Sequence, residues 1–246
     1  VGEFTRRDTA HANPAHRPTD GQYKRYIWLV QKFKSLGWDN TKLHDASPFK
    51  VVDPGFNAIL IRACEDVADL AARLGMEEIA KESRAMADKG VAAMESLWSD
   101  ELGQYLCYDR AEGKLIPSAS IGGVLAAFAP IPKHRITALV RRIEELGEVC
   151  NYLIPSHDPR APEFDGLRYW RGPVWLIVNF MVADGLQRAG EREIIDRIMG
   201  DCLRLIETSG FAEYHDPVTA EPCGGAHFTW TAAMIIEILH TFEVAA

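Results

Sequence analysis

Apolar residues recur along this chain mostly at the three- and four-residue spacing of helices, seldom at the alternation of strands. Tyr23, Ile27, Val30 and Phe33 form one stripe over about residues 21–36, and Thr19 or Asp20 can cap its amino end. Asp53-Pro54 is a capping residue followed by proline at the first helical position. From there Ala58, Ile61, Cys64, Val67, Ala68, Ala71 and Leu74 carry an apolar face to Gly75. The same spacing predicts helices over about 77–97, 118–128, 132–146, 173–186, 191–208 and 231–242, the fourth of these opened by Pro173. That makes about eight helices.

Two connecting stretches share a design. Leu102-Gly103-Gln104-Tyr105-Leu106-Cys107-Tyr108-Asp109 follows one helix pair, and Gly210-Phe211-Ala212-Glu213-Tyr214-His215-Asp216 follows another. Aromatics alternating with small or polar residues before a turn predict a short hairpin in each. A period of roughly fifty to sixty residues (helix, helix, loop) predicts an all-α toroid of α/α hairpins. A generic helical repeat or bundle is the alternative on periodicity alone. Loops that gather Trp, Arg and Glu favour the toroid, because a bare scaffold has little use for them there.

Composition narrows the field. The 246 residues, 47% of them hydrophobic, suffice for one domain or a large piece of one. The formal charge of −8 is interspersed, with no basic stripe for nucleic acid. The longest apolar run, from about Trp175 to Val182, falls far short of a membrane span, and the first fifteen residues are too polar for a signal peptide. Five scattered cysteines without CxxC spacing predict free thiols in a reducing compartment, hence the cytoplasm, and no metal cluster. The chain opens on Val1 without an initiator Met, which processing or a longer parent chain would explain.

Arg168-Tyr169-Trp170-Arg171-Gly172-Pro173-Val174-Trp175 is the most informative stretch for chemistry. Indole faces stack on the C–H faces of sugar rings, and a guanidinium offers fixed donors to hydroxyls or a carboxylate. The alternative makes Trp170 and Trp175 core residues and Arg171 an ion-pair partner. A second stretch sets Glu213-Tyr214-His215-Asp216 ahead of Gly224-Gly225-Ala226-His227-Phe228-Thr229-Trp230. A carboxylate flanked by Tyr214 and Trp230 suits a general base, whereas a solvated surface charge is its plain reading. His215 and His227, without a third partner at ligand spacing, suit hydrogen bonding rather than a metal. Arg17 precedes a helix start, where guanidinium and backbone N–H groups could face an anion together.

Tyr169-Trp170-Arg171-Gly172-Pro173-Val174-Trp175 together with Glu213-Tyr214-His215-Asp216-Pro217-Val218-Thr219 resembles the trehalase and glycoside hydrolase family 63 superfamily, the six-hairpin (α/α)6 glycosidases. Arg17-Pro18-Thr19-Asp20 and Asp53-Pro54-Gly55-Phe56-Asn57-Ala58 narrow the likeness to the mannosylglycerate and glucosylglycerate hydrolases, over about residues 16–239. The resemblance implies inverting hydrolysis of a small α-glycoside. A protonated acid serves the leaving oxygen, and a carboxylate about 6.5–9.5 Å from it activates water, with no cofactor. On that likeness Glu213 is the base, and Tyr169, Trp170 and Trp175 wall the sugar site. Arg17 and Tyr23 hold the glycerate end, and Asp53 and Asn57 are structural. Arg171, His227 and Trp230 complete the candidate substrate contacts.

The superfamily's general acid is an Asp in a motif that this sequence lacks. Asp8 is without that context and is not assigned. A full ring has twelve helices, so the chain is expected to be the carboxy-terminal part of such a domain. Its partner would be a complementary amino-terminal segment or a second copy. Trehalose hydrolysis, trimming of oligosaccharide α-glucosides and sugar binding without catalysis are the alternatives on this fold.

Overall fold

The computed structural model describes residues 1–242. Nine α-helices occur among the described residues, and the first three open on side-chain caps. Helix α1 (Asp20–Ser35) opens on a reciprocal pair in which the Thr19 hydroxyl accepts from the Gln22 N–H and the Gln22 side chain accepts from the Thr19 N–H. Helix α2 (Asn40–Ala46) is capped by Asp39 and too short to leave a periodic trace in the sequence. In α3 (Pro54–Arg73) Asp53 accepts from the Phe56 N–H at 2.7 Å, which is worth about 1 kcal/mol.

Helix α4 (Glu77–Met94) ends three residues earlier than the spacing predicts, the chain tightening into a 3-10 turn over Glu95–Leu97. The expected helix over 118–128 is likewise a short α5 (Ile121–Leu125) continued by a 3-10 turn, Ala126–Phe128. Four more follow: α6 (Lys133–Gly147), α7 (Leu176–Ala189), α8 (Arg192–Ser209) and α9 (Thr229–Thr241).

Helices α3, α5, α7 and α9 lie side by side in succession, while α4 packs on α3, α6 on α7, and α8 on both α7 and α9. The result is an arc of α/α hairpins. Its core interleaves Val182, Ala183 and Leu186 of α7 with Ile198, Met199, Cys202 and Leu205 of α8 and with Leu139 and Ile143 of α6. Helix α1, expected to bury an apolar stripe, has no fully buried residue, and its Tyr26, Trp28 and Val30 are exposed.

Short strands tie the loops between the helices. Strand β1 (Val51–Val52) pairs with β4 (Tyr108–Asp109), which pairs with β5 (Lys114–Leu115). Strand β2 (Trp98–Ser99) pairs with β3 (Gln104–Tyr105), and β6 (Tyr214–His215) with β7 (Pro222–Cys223). The stretch 102–109 is therefore not one hairpin. Its two halves turn to different partners, Tyr105 to Trp98 and Tyr108 to Val52.

Pro173 does not open a helix either. Val174 is extended, donating to the His215 carbonyl at 2.8 Å and accepting from the His215 N–H at 3.1 Å, so α7 begins only after Trp175. That bridge sets the 169–175 segment against 213–216.

Candidate active site

The site is assembled around a residue with no conspicuous pattern of its own, His16. A 3-10 turn over Pro14–His16, capped by Asn13, delivers it into the interior. The His16 carbonyl accepts from the Tyr169 N–H at 3.1 Å and from the Tyr214 hydroxyl at 2.7 Å, and its Nδ1 accepts from the Gly224 N–H at 3.4 Å. Three segments far apart in sequence meet there. The next residue, Arg17, is thereby aimed at Glu213.

Arg17 grips the Glu213 carboxylate with both prongs, Nη1 donating to Oε1 at 3.0 Å and Nη2 to Oε2 at 2.6 Å. The Gly225 N–H donates to Oε2 at 3.1 Å, and the Glu213 N–H donates back to the Gly225 carbonyl at 2.9 Å. Gly224 makes the close approach possible. Its φ is +75°, and a β-carbon there would lie 2.5 Å from Oε2. Glu213 keeps only 9% of its surface in contact with solvent, too little for bulk hydration.

Burial shapes the neighbouring groups. It works against the Arg17 charge, yet the hydrogen bonds to Glu213 outweigh it and hold the guanidinium above its ordinary value. Burial pushes the Tyr214 hydroxyl up and the fully enclosed His215 imidazole down. It also lifts the thiols of Cys107, Cys150, Cys202 and Cys223 to about 12, so none of these four supplies a thiolate nucleophile near neutral pH.

An aromatic cluster adjoins the Arg17 guanidinium. Tyr169 lies under the Arg17 guanidinium, 5.6 Å from ring centroid to carbon, and meets Trp170, Trp175 and Tyr214 edge-on. Trp175 is sandwiched between Trp170 and Tyr214 at 4.0 and 4.6 Å, donates to the Tyr169 carbonyl and is buried. Trp230 meets Trp175 edge-on at 6.5 Å. The outer faces of Trp170 and Trp230 are exposed and line one cavity of about 900 Å³, with Phe56, Ile121 and Met181 among its apolar walls.

The structure therefore brings together Glu213, Arg17, Tyr169, Trp170, Trp175 and Trp230. It does not bring in the other three expected contacts. The Arg171 Nε and Nη2 donate to the Glu163 carbonyl at 3.0 and 2.8 Å. Tyr23 stacks on Phe4 and lies under the Arg6 guanidinium. His227 is an exposed residue with φ of +52°. Asp8 is paired with Arg6 at 2.5 Å, and Asp53 and Asn57 form a cap and a backbone contact.

Two features escaped the sequence reading. One is His16. The other is the pair Ser118–His157, whose Oγ and Nε2 lie 3.1 Å apart beside the cavity that holds Trp170, with Ser118 on its wall. Thirty-nine residues separate them, and no motif links them. The Arg142 guanidinium, buried and paired with Asp158, fastens the loop that carries His157. Among the described residues no group of three or more His, Cys, Asp or Glu is placed to hold a metal ion.

Over residues 3–231 the chain matches the family described as mannosylglycerate hydrolase MGH1-like glycoside hydrolase domain. It is 42% identical over 234 residues to a mannosylglycerate hydrolase of Thermus thermophilus, covering 95% of this chain and 56% of that protein. It is 39% identical over 237 residues to the mannosylglycerate hydrolase MGH1 of Selaginella moellendorffii, covering 96% and 49%. The crystal structure of a GH63 mannosylglycerate hydrolase from Thermus thermophilus in complex with Tris and D-glycerate matches with a TM-score of 0.93 at 40% identity, covering 98% and 58%. The arc of hairpins is thus part of the six-hairpin fold of that family, and the chain spans about half the length of the curated relatives it matches.

Proposed function

The chain belongs to the mannosylglycerate hydrolase MGH1-like glycoside hydrolase family, and from that premise we propose that it carries the base-bearing wall of an inverting α-glycosidase. The substrate is a small α-glycoside, mannosylglycerate or glucosylglycerate, the first favoured by the names of the relatives above. One observation supports the reading most: Glu213 is an anchored, nearly dry carboxylate whose Arg17 partner lies over Tyr169, the ring that meets Trp170 on the cavity wall.

Hydrolysis with inversion needs a water held on the face of the sugar opposite the leaving group, with a carboxylate to take its proton as the C–O bond breaks. Glu213 takes that proton. Trp170 and Trp230 offer apolar surfaces for the sugar's C–H face, and a positioned base of this kind is worth about 10²–10⁴ in rate. Protonation of the leaving oxygen is the work of an acid that this chain's residues do not identify. Five free thiols suit a reducing compartment, so the cytoplasm is part of the proposal.

Incubating the full-length natural protein with mannosylglycerate, glucosylglycerate and trehalose, and following the first product by proton NMR, tests it. The expected result is turnover of a glycosylglycerate with the β-anomer of the free sugar appearing first. Turnover of trehalose alone would move the assignment to the trehalase-like alternative. An α-anomer appearing first would remove inversion, and no turnover would leave the chain a sugar-binding protein at most.

A further inference from the structure

We propose that Ser118, oriented by His157, accepts a hydrogen bond from one hydroxyl of the sugar that stacks on Trp170, and so helps decide which sugar the cavity takes. The proposal rests on the reading of that cavity as the sugar site, and adds a contact which that reading does not contain.

An indole face holds a ring but tells one sugar from another poorly, whereas a polar group set against a hydroxyl rejects a ligand that lacks it. Ser118, Ser120 and Ser156 lie on the same cavity wall as Trp170 and Trp230. The Ser156 hydroxyl is engaged by the Gly172 N–H at 3.0 Å, and the Ser118 hydroxyl by His157 Nε2 at 3.1 Å. The His157 Nδ1 faces the Asp158 carbonyl at 3.5 Å. A carbonyl only accepts, so in the neutral ring Nδ1 carries the proton and Nε2 accepts from the Ser118 O–H. With its proton committed to His157, Ser118 keeps two lone pairs for a donor in the cavity, and a sugar hydroxyl is such a donor.

The pair is fixed from behind. Ser120 bridges to His157, Pro155 to Val174, and Val174 to His215, so extended segments lead in steps from Ser120 to the one that carries Glu213. The buried Arg142 guanidinium holds both Asp158 and Gln104, and Gln104 Nε2 donates to the Ser120 carbonyl at 3.0 Å. The Asp158 N–H donates to the Ala119 carbonyl at 3.1 Å. These bonds fasten the 118–120 segment to the 155–158 segment without help from Ser118. Its hydroxyl is free for another task.

The test uses the full-length natural protein with mannosylglycerate, glucosylglycerate and their monodeoxy forms, one sugar hydroxyl removed at a time. The reading is kcat/KM where the ligand is hydrolysed, and Kd by calorimetry where it is not. Ser118→Ala is expected to lower kcat/KM, or raise Kd, about three- to tenfold for the preferred glycoside. One deoxy form should show the same loss with the unaltered protein and no further loss with Ser118→Ala. The other deoxy losses should add to that of the variant. His157→Phe, which keeps a ring but no partner for the Ser118 proton, should weaken discrimination at that one hydroxyl, and His157→Gln should recover part of it.

A change of less than about threefold in Ser118→Ala, or an equal loss on the parent glycoside and on every deoxy form, overturns this proposal alone and leaves Ser118 a structural residue. An unaltered protein that neither hydrolyses nor binds any of these glycosides overturns the proposal and the glycosidase reading together. Circular dichroism checks folding, and if Ser118→Ala does not fold, His157→Phe carries the same comparison.

Discussion

Trp170 lies flat on Trp175, ring centroids 4.0 Å apart and planes within 8°, yet the first is 38% exposed and the second 4%. Stacked identical side chains here have unequal tasks. Trp175 is held from the other side by Tyr214 and through its indole N–H by the Tyr169 carbonyl, so it belongs to the core. Trp170 presents its free face to the cavity. Of the two readings that the sequence left open for this pair, Trp175 fits the core one, and Trp170 keeps a face available for a ligand.

Trp170→Ala is accordingly expected to raise KM for the glycoside at least about tenfold, the loss of about 1.4 kcal/mol of stacking, while shifting the melting temperature little. Trp175→Ala is expected to cost about 3–5 kcal/mol of stability, the usual consequence of emptying a buried aromatic site. Steady-state kinetics and urea denaturation on the two variants check the contrast.

Gly224 stands at a point where backbone conformation and chemistry coincide. A methyl group there would meet Oε2 at 2.5 Å and a left-handed backbone besides, so Gly224→Ala must push Glu213 off Arg17 or shift the 223–225 loop. The expected outcome is a loss of kcat of about 10–100-fold at nearly unchanged KM, since a displacement on the order of 1 Å at a reacting group costs about that much. A crystal structure of the variant would show the displaced carboxylate directly.

His215 gives the fold an acid limit. Its Nε2 pairs with the Gly210 carbonyl at 3.1 Å, its Nδ1 is buried without a partner among the described residues, and burial holds its pKa below the ordinary value. The unfolded chain, with an imidazole near pH 6.5, then binds a proton that the folded chain refuses. Stability is flat above about pH 6.5 and falls as pH drops below it, by up to about 1.4 kcal/mol per pH unit for this one group. Melting curves between about pH 8 and 5 should show that slope, and His215→Gln, which keeps a donor for Gly210 without the titration, should flatten it.

Much of the helical frame was legible because local chemistry decides it. The Thr19 and Asp53 caps stand where residue type alone puts them, and the α3, α6 and α8 spans follow their apolar stripes. The readings that failed were those settled by distant partners. Pro173 suits a helix start, but Val174 is claimed by His215, far along the chain. The 102–109 stretch suits one hairpin, but its halves find other strands.

Within the site, residue types and motifs pointed to Glu213 and the aromatics. The pairing of Arg17 with Glu213 spans 196 positions, and nothing in the local pattern of either residue specifies it. Arg171 shows the converse: a cation beside the right motif, turned to a backbone carbonyl.

Glu213 is proposed as the group that takes water's proton, and Glu213→Gln in the full-length natural protein tests this most directly. The replacement keeps the shape and removes the basic oxygen. With folding verified by circular dichroism, kcat on mannosylglycerate is expected to fall by about 10³-fold or more. A variant that folds and retains more than about a tenth of the original kcat would contradict the assignment of Glu213 as base.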